Sequence, residues 1–112
     1  MGYLGEFEQL ILFSVVKLGD DAYGGAIREA IEQRTGRVAS SGAINTALGR
    51  LAERKFVTAR IGEPAAGRVG RPRKYYAITP AGARALKASY TTIRAMAGGL
   101  TAKLDRLAED ER

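Results

Sequence analysis

The spacing of apolar residues changes between residues 56 and 78, and this change limits the possible folds more than any other feature. In "FVTARI" the apolar residues alternate, so Val57, Ala59 and Ile61 share one face of a strand. In "RKYYAIT", Tyr76 and Ile78 share a face in the same way. The stretch between them, "GEPAAGRVGRP", is rich in glycine and proline. The pattern predicts two strands joined by a long hairpin loop.

Upstream of these strands the apolar spacing is helical. Residues 4–18 are apolar almost all round the helix, which predicts burial on more than one side. A second helix starts near Tyr23, and Gly36 can end it in the left-handed conformation. Ser40 or Ser41 can cap a third helix. Its predicted inner stripe consists of Ile44, Ala47, Leu48 and Leu51.

The C-terminal segment predicts a long helix that dimerises. Thr79 suits its N-cap and Pro80 its first position. Apolar residues then alternate at spacings of four and three, as in a coiled-coil seam. They are Leu86, Tyr90, Ile93, Ala97, Leu100, Leu104 and Leu107.

One continuous helix of about 28 residues would be about 42 Å long, longer than the domain before it. We therefore predict a homodimer that forms through this seam. The alternative is packing against the first helix of the same chain. Gly98-Gly99 is a weak point at which the helix can kink.

Composition excludes several classes of protein. The chain of 112 residues has the size of one domain and contains no cysteine and no histidine. Disulfides, Cys/His zinc sites and Ser-His-Asp catalysis are therefore impossible. No two of the twelve acidic residues pair within an apolar segment. We expect neither an enzyme nor a cofactor or metal.

The longest apolar run, residues 10–16, is too short to span a bilayer. The residues before it are acidic, which is not typical of a signal peptide. We therefore expect no membrane association and a cytoplasmic location.

The basic charge is concentrated in the middle of the chain. Residues 34–94 contain thirteen Lys and Arg but only two acidic residues, whereas the net charge of the whole chain is +6. Such a segment suits an acidic or phosphate-bearing partner, of which double-stranded DNA is one example. A solvated basic surface is the alternative that charge alone leaves open. Charge alone also cannot distinguish the basic run at residues 68–74 from a disordered tail. The position of this run between two predicted strands favours a hairpin.

The order of three helices, strand, basic loop and strand is that of a winged helix-turn-helix. The predicted fold is mainly α with a small β-hairpin. Residues 1–79 would form the DNA-binding domain and residues 80–112 the dimerisation helix. In this fold the third helix enters the major groove, while the loop, called the wing, reaches the flanking DNA.

Three segments also resemble the PadR-like family of bacterial transcriptional regulators. They are "LGEFEQLILFSVVKLGDDAYGGAIREAIEQRTGR", "SSGAINTALGRLAERKFV" and "GRPRKYYAITPAGARAL", and the resemblance covers nearly all of residues 4–90. It implies a repressor that dimerises through its C-terminal helix together with its first helix, so that Leu4 and Phe7 would join the seam. It also implies a compact variant with one helix after the wing, released from DNA by a small molecule or another signal. The identity of that effector is not implied.

The chain departs from the family pattern at Asn45, Gly49 and Lys55. Asn45 stands where tyrosine is common; asparagine can pair with adenine, or it can be solvated and contact nothing. Gly49 replaces a frequent acidic residue, and Lys55 a frequent glycine. If the turn at Lys55 still requires a positive φ, the backbone is strained there.

We expect DNA contacts from the start of the second helix, the third helix and the wing. For Arg50 the alternative is an ion pair with Glu53 or Glu32, for Tyr23 it is core packing, and for the wing it is solubility alone. The candidate residues are Tyr23, Ser40, Ser41, Asn45, Thr46, Arg50, Arg68, Arg71, Arg73 and Lys74.

Sequence therefore predicts a sequence-specific, homodimeric transcriptional repressor. The alternative is a winged-helix module that senses a ligand or binds a protein and does not bind an operator. Its only support is the asparagine at position 45.

Overall fold

The computed structural model describes residues 3–62 and 72–109. It contains mostly helices and one antiparallel hairpin, as predicted. In chain order the elements are α1 (Glu6–Leu18), a 3-10 turn (Gly19–Asp21), α2 (Gly24–Thr35), α3 (Ser41–Glu53), β1 (Val57–Ile61), β2 (Lys74–Ile78), α4 (Pro80–Ala97) and α5 (Thr101–Glu109).

Helix α1 is the centre of the fold. It packs against α2, α3, α4 and β2, so it is enclosed on several sides. Ile11, Leu12 and Val15 are buried there. The prediction that this helix is buried on more than one side is confirmed.

The predicted helix ends are also confirmed. Ser40 caps α3, because its Oγ accepts a hydrogen bond from the Ala43 N–H at 3.0 Å. Thr79 caps α4 in the same way from the Gly82 N–H at 3.0 Å, and Pro80 follows it. Gly36 ends α2 with a φ of 77°, in the left-handed region. These ends fix where the elements that carry the functional residues begin.

The hairpin is only partly anchored in the core. Val57 pairs with Ile78 and is buried, and Tyr76 and Ile78 pack against the core as predicted. Burial raises the pKa of the Tyr76 hydroxyl. By contrast, Ala59 and Ile61 are exposed because the strands extend beyond the core.

The prediction of one continuous C-terminal helix is wrong at Gly98-Gly99. Helix α4 ends at Ala97 and α5 begins at Thr101. Gly99 has a φ of 78°, which a right-handed helix does not allow. Two successive residues of poor helix propensity therefore break the helix where the sequence showed its weak point.

The described chain is elongated. Its radius of gyration is 16.7 Å, whereas a compact domain of this length would have about 13 Å. The greatest extent, 56 Å, is well above the other two, 32 and 20 Å. No helix within residues 3–62 and 72–109 combines the length and the apolarity needed to cross a membrane.

Candidate nucleic-acid interface

Helix α3 has one buried face and one exposed face. Its predicted inner stripe is buried: Ile44, Ala47, Leu48 and Leu51. On the outside, Ser41, Asn45, Thr46 and Arg50 are exposed. Ser40 is exposed too, but its oxygen already accepts the capping hydrogen bond. The predicted α3 candidates are thus exposed to solvent, in a form that could meet a DNA groove.

The first turn of α2 lies beside α3. A Cβ placed on Gly24 would be 3.2 Å from the Asn45 Oδ1, so the Asn45 side chain lies over the start of α2. Within the described chain, no side chain caps α2. The N–H groups at the start of a helix point outward and attract anions. Asn45 and the α2 N-terminus therefore form one continuous surface.

Tyr23 connects this surface to the hairpin. It is half-buried, and its ring meets that of Tyr75 edge to face, with 5.7 Å between centroids. The Arg73 guanidinium carbon lies 4.0 Å from the centroid of the Tyr23 ring. The Tyr23 ring packs against the hairpin, and a contact between its hydroxyl and a phosphate stays a prediction. Its neighbour Arg73 therefore lies near the start of α2.

Some of the basic residues are already paired within the chain. The guanidinium of Arg37 lies 3.0 Å from the Glu6 carboxylate, and that of Arg54 lies 3.4 Å from the Glu8 carboxylate. Both acidic partners belong to α1. These arginines are paired within the chain, so their charge contributes less to the attraction of an anionic partner than the charge count alone suggests.

The other described candidates have no such partner. Among residues 3–62 and 72–109, no carboxylate lies within ion-pair distance of Arg50, Arg73 or Lys74. The alternative of an ion pair between Arg50 and Glu53 or Glu32 therefore has no support in that part of the chain. Arg68 and Arg71 lie outside the described residues.

Sequence reasoning missed Arg60. This residue is in β1, directly opposite Tyr75, and its guanidinium carbon lies 4.6 Å from the Tyr75 ring centroid. The sequence feature that could have identified it is an arginine on the polar side of a strand next to the wing.

The predicted dimerisation residues divide into two groups. Leu86 and Leu4 are buried in the core of the chain itself. Tyr90 meets Phe13 of α1 edge to face at 5.6 Å, and Phe7 is covered by the Arg37 guanidinium at 4.6 Å. At the start of the seam, Leu86 and Tyr90 thus pack within the same chain, and Tyr90 contacts α1.

The second half of the seam is exposed in the described chain. Leu100, Leu104 and Leu107 are 43%, 57% and 59% exposed, and α5 contains no buried residue. Ala97 is exposed as well. Ile93 and Met96 continue this apolar surface on α4, where they are 63% and 76% exposed.

A groove of about 620 Å³ also runs along α4. It is lined by Tyr3, Phe56, Ala81, Arg84, Ala85, Ala88, Ser89 and Thr92.

No group of three or more acidic side chains suited to a metal ion occurs in the described parts of the chain. In the same parts of the chain, the charge that is concentrated on the surface is positive. The surface is therefore chemically suited to an extended anion.

Comparison with known proteins agrees with this chemistry. The model of the transcriptional regulator PadR-like family matches residues 12–88. No curated protein matches the chain. Similar folds occur in a PadR family transcription regulator from Clostridium difficile R20291, with 23% identity, a TM-score of 0.71, and coverage of 89% of this chain and 99% of that one. A transcriptional regulator from Clostridium thermocellum has 25% identity, a TM-score of 0.68, and coverage of 80% and 84%.

The fold also matches that of Bacillus subtilis PadR, whose structure contains operator DNA. There the identity is 23%, the TM-score is 0.63, and coverage is 73% of this chain and 45% of that one. The family model spans more than half of the chain and includes α2, α3 and the hairpin. The chain belongs to the PadR-like family of transcriptional regulators.

Proposed function

We propose that the protein is a homodimeric transcriptional repressor that binds an operator and leaves it in response to a signal or small ligand. The observation that carries the proposal is the continuous surface formed by the exposed face of α3, the first turn of α2 and the hairpin. Its cations lack acidic partners in the described chain. Such a surface favours the DNA backbone, and a protruding helix fits its major groove.

Within this surface, we assign base contacts to the N-terminal half of α3. Asn45 and Thr46 are exposed there, and asparagine can form two hydrogen bonds with adenine. Arg50, Arg73 and Lys74 would neutralise phosphates, as would Arg68 and Arg71. Phosphate contacts fix the register, whereas base contacts determine the sequence that is bound.

The apolar surface of α4 and α5 supports the homodimer. Large exposed apolar surfaces are uncommon in monomers, because each leucine gains about 1.5–3 kcal/mol when it is fully buried. A second copy offers the same surface, so a two-fold interface can cover both. Such a dimer would present two α3 helices to half-sites about 34–36 Å apart.

Repression and release by a signal rest on the family resemblance. A dimer on an operator blocks other proteins from the same DNA. The operator complex of the Bacillus subtilis relative supports binding of this kind. We assign no effector.

The test is binding of the purified protein to genomic fragments, measured by fluorescence anisotropy as salt is raised. We expect specific retention of some fragments and an affinity that falls steeply with salt. Arg50→Ala and Arg73→Ala should each weaken binding. Arg34→Ala is the matched control, because Arg34 is exposed in the last turn of α2, far from Tyr23. Binding that is absent, or that is insensitive to salt, would refute the proposal and favour a ligand-sensing or protein-binding module.

A further inference from the structure

Two arginines and two tyrosines form a cluster where the hairpin meets α2. The members of this arginine–tyrosine cluster are Arg60, Arg73, Tyr23 and Tyr75. Arg73 lies over the Tyr23 ring at 4.0 Å and Arg60 over the Tyr75 ring at 4.6 Å. The two rings contact each other edge to face. Each guanidinium therefore has an aromatic ring beneath it, and the two stacks touch.

The backbone holds the cluster in place. Tyr23 and Tyr75 form an isolated antiparallel bridge, and the Tyr76 N–H donates to the Ala22 carbonyl oxygen at 2.8 Å. Arg60 also donates from its Nη2 to the Asp20 carbonyl oxygen at 3.1 Å. The hairpin is thereby attached to the segment that precedes α2. Movement of the wing strand would also displace the cations beside that helix.

Two glycines leave room for the rings. A Cβ on Gly62 would overlap the Tyr75 ring. A Cβ on Gly25 would lie 3.2 Å from the Cε2 of Tyr23, which is a tight contact. The Tyr23 ring thus lies directly over the first turn of α2. Both positions have the one residue type that lets an aromatic ring lie against the backbone.

The cluster carries charge that the described chain does not neutralise. Within residues 3–62 and 72–109, neither Arg60 nor Arg73 lies within ion-pair distance of a carboxylate, and the hydrogen bond of Arg60 goes to a backbone oxygen, that of Asp20. Arg37 and Arg54 also stack on rings, but each has a glutamate partner. Stacking on a ring leaves the N–H groups at the guanidinium edge available for a phosphate.

We propose that Tyr23 and Tyr75 are positioning residues that hold Arg73 and Arg60 as a pre-ordered pair of binding groups for phosphodiesters of duplex DNA. The inference rests on the proposed function and adds Arg60 to the surface. Holding a guanidinium in its binding geometry before DNA arrives reduces the rotamer entropy lost on binding. The tyrosines strengthen binding without adding charge.

The test uses a fluorescein-labelled duplex of mixed sequence, about 40 base pairs long, because phosphate contacts dominate binding to such a probe. Tyr75→Leu should weaken binding about two- to fivefold per half-site, which corresponds to the loss of one cation–π contact. The slope of log affinity against log salt should not change, because Arg60 still neutralises its phosphate. Arg60→Ala should reduce the magnitude of that slope by about 0.9 per half-site.

Two conservative variants separate positioning from other roles. Tyr75→Phe should bind like the wild type, because the aromatic ring, and not the hydroxyl, holds the guanidinium. Arg60→Lys should keep the slope but lose affinity, since an ammonium lacks the planar face and paired donors of a guanidinium. These two variants decide the question if Tyr75→Leu fails to fold, which circular dichroism would detect.

The proposal is overturned if Tyr75→Leu folds and binds like the wild type, if Tyr75→Phe loses as much affinity as Tyr75→Leu, or if Arg60→Lys is indistinguishable from the wild type. These outcomes leave operator binding intact. If instead the wild-type protein does not bind the duplex at any salt concentration, the proposed function itself is wrong.

Discussion

Lys55 adopts a backbone conformation that suits glycine, with a φ of 64°. It is the only non-glycine residue with a positive φ in the part of the chain that the structure describes. The strain predicted at this departure from the family pattern is therefore present. The turn is retained because the Phe56 N–H donates to the Leu51 carbonyl oxygen at 2.9 Å, and Thr79 donates to the Lys55 carbonyl oxygen at 2.7 Å.

Lys55→Gly should stabilise the protein. Relief of the left-handed strain, offset by the greater freedom of glycine in the unfolded chain, should add about 0.5–1 kcal/mol to the free energy of unfolding. Thermal unfolding at fixed protein concentration measures the effect. Lys55→Ala is the control, because it removes the same charge but keeps a Cβ; it should give no gain. Equal stability of the two variants would contradict the strain.

Gly82 illustrates the opposite case, a glycine required by close packing. It is buried in the first turn of α4, and a Cβ there would overlap the Phe56 carbonyl oxygen. Gly82→Ala should therefore lower the free energy of unfolding by about 2 kcal/mol or more. Denaturant titration checks this, with Ala83→Gly as an exposed control in the same turn, expected to cost about 1 kcal/mol. A smaller loss in Gly82→Ala than in the control would contradict the close contact.

At the scale of elements, α3 has a well-packed inner face, whereas its exposed face contains a residue of low helix propensity. Gly49 is exposed in its interior, and a Cβ there would meet no atom within 4 Å. Gly49→Ala should raise the free energy of unfolding by about 1 kcal/mol. If α3 lies in the major groove, the added methyl group should at the same time weaken DNA binding.

Unfolding and anisotropy measurements on the same preparation compare the two effects of Gly49→Ala. Gln33→Ala, on the exposed surface of α2, is the control and should leave DNA affinity unchanged. Higher stability with unaltered DNA affinity would show that this part of α3 does not face the groove.

Sequence predicted the elements well where local chemistry determines them. The caps at Ser40 and Thr79, the left-handed Gly36 and the inward Tyr76 depend only on near neighbours and on apolar spacing. The heptad spacing, in contrast, is identical for a continuous helix and for two helices. The break at Gly98-Gly99 depends on the backbone conformation of two residues, which that spacing does not report.

The candidate site was less predictable because it depends on contacts between distant residues. Arg60 and Tyr75 face each other across the hairpin, and Tyr23 joins them from another element. Charge counts also could not show that Arg37 and Arg54 pair with α1. The exposed candidates on α3 could be predicted, since the inner stripe of a helix defines its outer face.

At the scale of the whole molecule, the apolar surface of α5 predicts a dimer. Leu104→Glu should place a charge in the interface of each copy and cost several kcal/mol per dimer, because a buried leucine alone contributes about 2 kcal/mol. Sedimentation at micromolar concentration should show a wild-type dimer and a monomeric variant. Ala102→Glu, on the opposite side of α5, should remain dimeric. A wild-type monomer would contradict this use of the surface.

The central claim is that two copies of one surface bind duplex DNA together, and hydroxyl-radical footprinting on a selected genomic fragment tests it most directly. We predict two protected half-sites related by two-fold symmetry, with centres about one helical turn, roughly 10 base pairs, apart. Arg50→Ala should weaken both halves equally. A single protected stretch without symmetry, or no protection at protein concentrations that retain the fragment, would contradict the claim.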